Sequence, residues 1–340
     1  MAIAAIGQIC STASVAHNLE QCVSLVCRAA AAGAKVLFLP EASDYIATSP
    51  EQALALAQPV DESPFVLGLQ SAAAQHGVAV HVGIHVPVAV TASAAGSNAV
   101  MPTVVQTGEA SSTTAAASAG RKLLNRTIYI DPAGRVAPYG NYDKLHLFDY
   151  AAAGLRESAQ TQAGTALLPP YTTPLGRLGS LTCFDLRFPE PAIALAHYAQ
   201  PAPAHIITYP SAFTVPTGRA HWEVLLRARA IESQCYIIAA AQVGRHNAKR
   251  VSYGRSLAVD PWGKVLCRLG GVVGGDDENA TGPDVGNADE GAEGQLGLVD
   301  IDLSVWESVR ERLPLVRRTD VYPALDLVKD GETEGREAEH

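Results

Sequence analysis

The chain carries no basic stripe: 25 lysines and arginines stand against 34 aspartates and glutamates, a net charge of −9 over 340 residues. Binding of a phosphate backbone needs clustered cations, so nucleic acid is excluded as a partner. The six cysteines, Cys10, Cys22, Cys27, Cys183, Cys235 and Cys267, form no C-x-x-C pair. In a chain of this length that spacing suits reduced thiols in a cytoplasmic setting better than a disulfide framework, and a mitochondrial form is compatible with it too. No apolar run is long enough for a membrane helix, and the apolar start lacks the basic region of a signal peptide. The ten histidines show neither H-E-x-x-H nor any clustered ligand spacing, so no metal is expected and nothing calls for a cofactor.

What is present is apolar. Hydrophobic residues make up 48% and charged residues 17%, enough to build one large core. Residues 2–10 read as a β-rich run and residues 18–32 as a helix closed near Gly33. Residues 35–41 are a continuous apolar strand ended by Pro40 and Glu41. Strand, helix, strand in that order begins an α/β protein. A helix over 64–76 and a strand over 78–90 follow. Thr127–Val136 and Ser256–Val265 each set Asp-Pro-x-Gly between β-prone runs, the chemistry of a type I turn closing a hairpin. Two stretches lack any period: 91–120, rich in Ala, Ser, Thr and Gly, and 270–296, acidic and glycine-rich. Both are expected to be mobile surface insertions in a single domain over 1–325, followed by a charged tail over 326–340.

Three residues have chemical potential. Cys183 ends a buried strand (177–183), and a helix over 189–198 begins at Pro189. A thiol at such an elbow lies near backbone N–H groups and a helix terminus, which favour a thiolate and supply donors for an oxyanion. Glu41 leaves the core at a sheet edge, where a partly desolvated carboxylate with a raised pKa can act as a general base. Lys144, in Tyr142-Asp-Lys-Leu-His-Leu-Phe148, could stabilise a negative oxygen. Taken singly, each has an ordinary reading: a buried structural thiol, a solvated loop carboxylate and a hairpin surface lysine.

Together they resemble the nitrilase superfamily of carbon–nitrogen hydrolases. The resemblance lies in Phe38-Leu-Pro-Glu41, Lys144-Leu-His-Leu-Phe148 and Cys183-Phe-Asp-Leu-Arg-Phe-Pro-Glu190, and it runs from residue 2 to about 325 outside the two insertions. The stretch from His221 to Gln242, together with Leu186–Glu190, is most similar to the branch of deaminated glutathione amidases. The resemblance implies a four-layer α-β-β-α sandwich that assembles as a homodimer. It also implies a metal-independent amidase in which Glu41 is the base, Lys144 holds the oxyanion and Cys183 forms a thioester. Glu157 matches a second family glutamate that orients the lysine or the substrate amide. Arg187 is a candidate clamp for a substrate carboxylate, and Phe213 and Thr217 are candidates for the same pocket. The substrate implied is a small amide, deaminated glutathione cut to 2-oxoglutarate and cysteinylglycine. An ω-amidase, a nitrile-using enzyme and a catalytically silent binding scaffold stay open at this stage. Arg255 stands where the family commonly has His.

Overall fold

The computed structural model describes residues 1–89, 120–150 and 154–322. The expected insertion at 91–120, apart from Gly120, and the tail at 326–340 lie outside the described residues. In chain order the first sheet takes β1 (Ala2–Gln8), β2 (Val36–Phe38), β3 (Ala79–Ala89), β4 (Arg121–Ile130) and β5 (Tyr142–Asp143). A short ribbon, β6 (Asp149–Tyr150) with β7 (Leu155–Arg156), comes next, and β8 (Thr161–Gln162) returns to pair with β4. The second sheet takes β9 (Tyr171–Thr173), β10 (Gly176–Ser180), β11 (Ile206–Thr208) and β12 (Tyr236–Ala239). After the ribbon β13 (Val243–Arg245) and β14 (Val251–Tyr253), it is completed by β15 (Leu257–Val259) and β16 (Val265–Arg268). Strand β17 (Gln295–Ile301) closes the first sheet against β1. The orders are β17-β1-β2-β3-β4-β5 and β16-β15-β12-β11-β10-β9.

The continuous apolar strands are explained by burial on both faces. In β2, Val36 and Phe38 face the second sheet while Leu37 faces helices. In β12, Tyr236 and Ile238 meet the first sheet while Ile237 and Ala239 face helices on the other side. Helices α1 (Val15–Ala31) and α3 (Pro64–His76) cover the first sheet through Leu25, Val26, Phe65 and Leu69. Helices α4 (Pro189–Ile193) and α5 (Val215–Ser233) cover the second through Ala192, Trp222, Leu226 and Ala230. The layers are therefore α-β-β-α, as the resemblance implied. Truncating an inter-sheet side chain such as Phe38 to alanine removes about 3–5 kcal/mol. The short α2 (Pro50–Leu56) and the C-terminal α6 (Leu303–Arg312) complete the described elements.

Local signals explain where the boundaries fall. Helix α1 begins a turn before residue 18 because the Ser14 side chain accepts from the His17 N–H. Helix α3 runs over the expected residues, between the Ser63 cap with Pro64 and a left-handed Gly77. The helix expected over 189–198 splits into α4 and a wider turn over Ala194–Tyr198. In the two Asp-Pro-x-Gly turns, the Gly134 and Gly263 N–H groups donate to the Asp131 and Asp260 carbonyls, both at 2.9 Å. Residues 270–296 join β16 to β17 through successive turns pinned to the body. The Gln8 side chain donates to the Gly270 and Ala292 carbonyls at 2.9 and 3.0 Å, and Val272 bridges Ala288 within the segment.

Candidate active site

Glu41 follows β2 and is held by its backbone. A Cβ at Gly83 would lie 2.6 Å from the Glu41 Cα, so β3 passes directly against this turn. Ala42 adopts the left-handed region at φ 55°. The Gln242 Nε2 donates to the Glu41 carbonyl at 3.0 Å and the Ala42 carbonyl at 3.2 Å, which satisfies the turn's buried acceptors. The carboxylate then points between the sheets, where the Ala212 N–H donates to its Oε2 at 2.9 Å.

Lys144 is buried, not the surface lysine its hairpin setting suggested; it is 2% exposed. Its Nζ donates to Glu41 Oε1 at 2.9 Å and to Glu157 Oε2 and Oε1 at 2.9 and 3.1 Å. Asn125, on β4, joins the same two carboxylates through its Nδ2, at 2.6 Å to Glu41 and 3.0 Å to Glu157. The Phe148 N–H donates to Glu157 Oε2 at 2.7 Å. The structure thus brings Glu41, Lys144 and Glu157 into one cluster. Asn125 was missed, since one polar residue in an alternating strand carries no signal of its own.

Cys183 begins a tight turn over Cys183–Arg187 with φ 48°, a left-handed value unusual for a side chain with a Cβ. Strain of this kind persists only where neighbours over-determine it. Here Asp185 does so: its Oδ2 accepts from the Thr182 N–H at 2.9 Å and from the Tyr142 hydroxyl at 2.7 Å. Its Oδ1 accepts from the His146 N–H at 3.0 Å. The Cys183 N–H is committed to the Pro210 carbonyl at 3.0 Å. A narrow cavity over the thiol is lined by Phe148, Phe184, Arg187, Phe213 and Thr217, with about 20 Å³ of free space, room for about one water. Arg187, Phe213 and Thr217 therefore share one cavity with Cys183. The Arg187 guanidinium stands 5.7 Å over the Phe213 ring, and its buried Nε has no partner among the described residues.

Charge is distributed differently from the sequence expectation. Burial alone would push the Glu41 carboxyl up, but Lys144 and hydrogen bonds from Cys183, Lys144 and Asn125 outweigh it and lower it to about 2. Lys144 is held charged: burial opposes the ammonium, and Glu157 and Glu41 outweigh that. The Cys183 thiol is pushed up by burial and by the Glu41 charge, with Lys144 acting against them. The substrate-free state is therefore a thiol beside a carboxylate, not a preformed thiolate.

A strained cysteine, two carboxylates and a captive ammonium between the sheets of an α-β-β-α sandwich are the layout of a nitrilase-superfamily amide hydrolase. Residues 3–275 match the family described as Carbon-nitrogen hydrolase, and the chain belongs to that family. It is an enzyme hydrolysing carbon–nitrogen amide bonds. It is 41% identical to the Schizosaccharomyces pombe protein described as probable hydrolase nit2, over 96% of this chain and 100% of that one. It is 38% identical to the deaminated glutathione amidase of Rattus norvegicus, over 95% of this chain and 84% of that one. Among solved structures, the Caenorhabditis elegans NitFhit protein superposes with a TM-score of 0.73 at 32% identity, covering 95% of this chain and 67% of that one.

Proposed function

We propose that the protein is a deaminated glutathione amidase that releases 2-oxoglutarate and cysteinylglycine through a Cys183 thioester. The observation that carries the chemistry is Lys144 buried between Glu41 and Glu157 beside Cys183. The substrate rests on the likeness to the curated relatives.

In this reading the Glu41 carboxylate takes the thiol proton as Sγ attacks the amide carbonyl, so the thiolate forms only as it reacts. With the Cys183 N–H already committed, the backbone donor to the oxyanion is the next N–H, that of Phe184, at the open start of the turn. Lys144 joins it by releasing one of its two contacts to Glu157, which keeps the ammonium oriented. The tetrahedral intermediate collapses with cleavage of the C–N bond. Glu41, now protonated, gives its proton to the departing amine. Glu41 then deprotonates a water that attacks the thioester, and the thiol is restored. Arg187 binds the 2-oxo acid carboxylate from the cavity wall, beside Phe213 and Thr217.

A homodimer completes the proposal. Val224 and Ile231 lie 61% and 49% exposed on the outer face of α5, beside a cleft of about 560 Å³ rimmed by Arg219, Glu223, Arg227 and Arg268. An exposed apolar strip with a charged rim suits a second copy of the same face. All six cysteines are unpaired, which supports a reducing, cytoplasmic setting.

The test is release of 2-oxoglutarate from deaminated glutathione and from α-ketoglutaramate, with Cys183→Ala as control. Preference for the tripeptide analogue, lost in the variant, supports the proposal. Preference for α-ketoglutaramate keeps the mechanism and moves the substrate to that of an ω-amidase. Activity on neither removes the substrate assignment.

A further inference from the structure

His85 is not used by the mechanism above, yet it stands next to it. It pairs in register with Asn125 across β3 and β4. Directly paired residues of antiparallel strands project to the same face, with Cβ atoms about 5 Å apart. Asn125 reaches the Glu41 and Glu157 carboxylates, so the His85 ring lies on that face too. Three residues past Glu41, Asp44 fixes this ring. The His85 N–H donates to Asp44 Oδ2 at 2.7 Å, and its Nδ1 donates to Oδ1 at 2.9 Å. A carboxylate can only accept, so the Nδ1 proton is assigned. The ring stacks on Tyr45 with centroids 4.6 Å apart, and the Tyr45 hydroxyl is tied to the Ala53 carbonyl at 2.9 Å. Nε2 has no hydrogen bond among the described residues, on a side chain 18% exposed.

We propose that His85, oriented by Asp44, binds the carboxylate of the departing amine half of the substrate. This rests on the amide reading above and assigns the half of the substrate that reading left without a partner. Two recognition groups then come from opposite sides of the site, His85 from β3 and Arg187 from the turn that begins at Cys183. Arg187 shares the cavity of Cys183, which bonds the acyl carbon, so it serves the acyl half. Glu41 protonates the departing amine, so that half leaves on the Glu41 side, where His85 stands. A dipeptide amine spans about 7 Å when extended, more than the roughly 5 Å step between Asn125 and His85, so its carboxylate has the reach. The charge balance agrees: burial disfavours the imidazolium and Arg250 opposes it, but Asp44 and Glu41 outweigh both and raise the His85 pKa.

The experiment titrates Cys183→Ala protein calorimetrically with deaminated glutathione and with the same compound carrying a C-terminal carboxamide. Each titration is repeated in the Cys183→Ala/His85→Phe protein, where phenylalanine keeps the stack on Tyr45, and in Cys183→Ala/His85→Gln. The expected result is about tenfold weaker binding of the carboxylate form in both double variants, with the carboxamide unaffected. Equal weakening of both ligands makes His85 a support for Asn125 and overturns the proposal, as does no weakening of either. If the Cys183→Ala parent binds neither ligand, the substrate reading itself fails and this proposal falls with it. That outcome is distinct from one in which the parent binds both and His85 makes no difference.

Discussion

Gly83 and Glu41 touch backbone to backbone: the Gly83 N–H donates to the Pro40 carbonyl at 3.0 Å, and the space a Cβ would need is filled by the Glu41 Cα. Glu41, the proposed general base, is thus positioned by the absence of a side chain on the neighbouring strand. Gly83→Ala is expected to destabilise by about 1–3 kcal/mol and to lower kcat more than it raises KM, because it displaces the base. Urea unfolding and steady-state kinetics together check this; a stable variant with full activity would contradict it.

Glu41, proposed as the base for Cys183, also bears on the reactivity of the thiol. Burial and the Glu41 charge push the thiol up, and Lys144 acts against them. Glu41→Gln removes one of the raising causes, so it should slow hydrolysis by about a hundredfold or more while quickening iodoacetamide labelling of Cys183 at neutral pH. Mass spectrometry of the labelled peptide reads the second effect. Slower labelling would show that the carboxylate is needed to carry the proton off the thiol.

Asn125 contributes to the low pKa of Glu41. Asn125→Leu removes that donor, so the Glu41 pKa should rise from about 2 and the acid limb of kcat/KM should move to higher pH. The sign follows from the base being active only when ionised. An acid limb that stays in place would mean that Lys144 alone sets it.

The stability of the fold should fall on acidification for a separate reason. Burial lowers His81 and His246 from 6.5 to about 3 each. The folded state refuses a proton that the unfolded chain accepts below about 6.5, so stability is full above that pH and drains as pH falls toward 3. Each histidine accounts for up to about 1.4 kcal/mol per pH unit in that window. Unfolding in urea at pH 7 and pH 5 measures the slope, and His81→Gln should make it shallower. An unchanged slope would assign acid sensitivity elsewhere.

Arg187 should govern affinity more than turnover. Loss of a charge-assisted contact costs about 1.5–3 kcal/mol, so Arg187→Leu is expected to raise KM for a 2-oxo acid amide about tenfold to a hundredfold. A fall in kcat at constant KM would instead place Arg187 in the reaction step.

Much of this architecture was legible in order along the chain. The helix over 64–76, the two Asp-Pro-x-Gly turns and the continuous apolar strand before Glu41 are local statements, and the structure repeats them. The candidate cluster was legible as residue types, since Glu41, Lys144 and Cys183 each sit in a distinctive short pattern. Its electrostatics were not. Whether Glu41 is raised or lowered depends on Lys144, 103 positions away, and on Asn125, 84 positions away. Burial and countercharge pull in opposite directions there, and only the packed geometry decides between them. Gln242 and Asp185 lay inside the family-like stretches, but their task of holding strained turns at Ala42 and Cys183 shows only once the backbone is seen.

Strands β3 and β4 stay paired over ten residues, from Val80 with Ile130 to Ala89 with Arg121. Gly83, His85, Asn125 and Thr127 occupy the middle of that ladder, so their placement is complete before the chain reaches the end of the hairpin. Sequence added or removed beyond Ala89 leaves the rungs below it untouched. The paired strands thus act as an insulating stem, so that the length of the sequence joining them can change without retuning the chemistry held by the rungs.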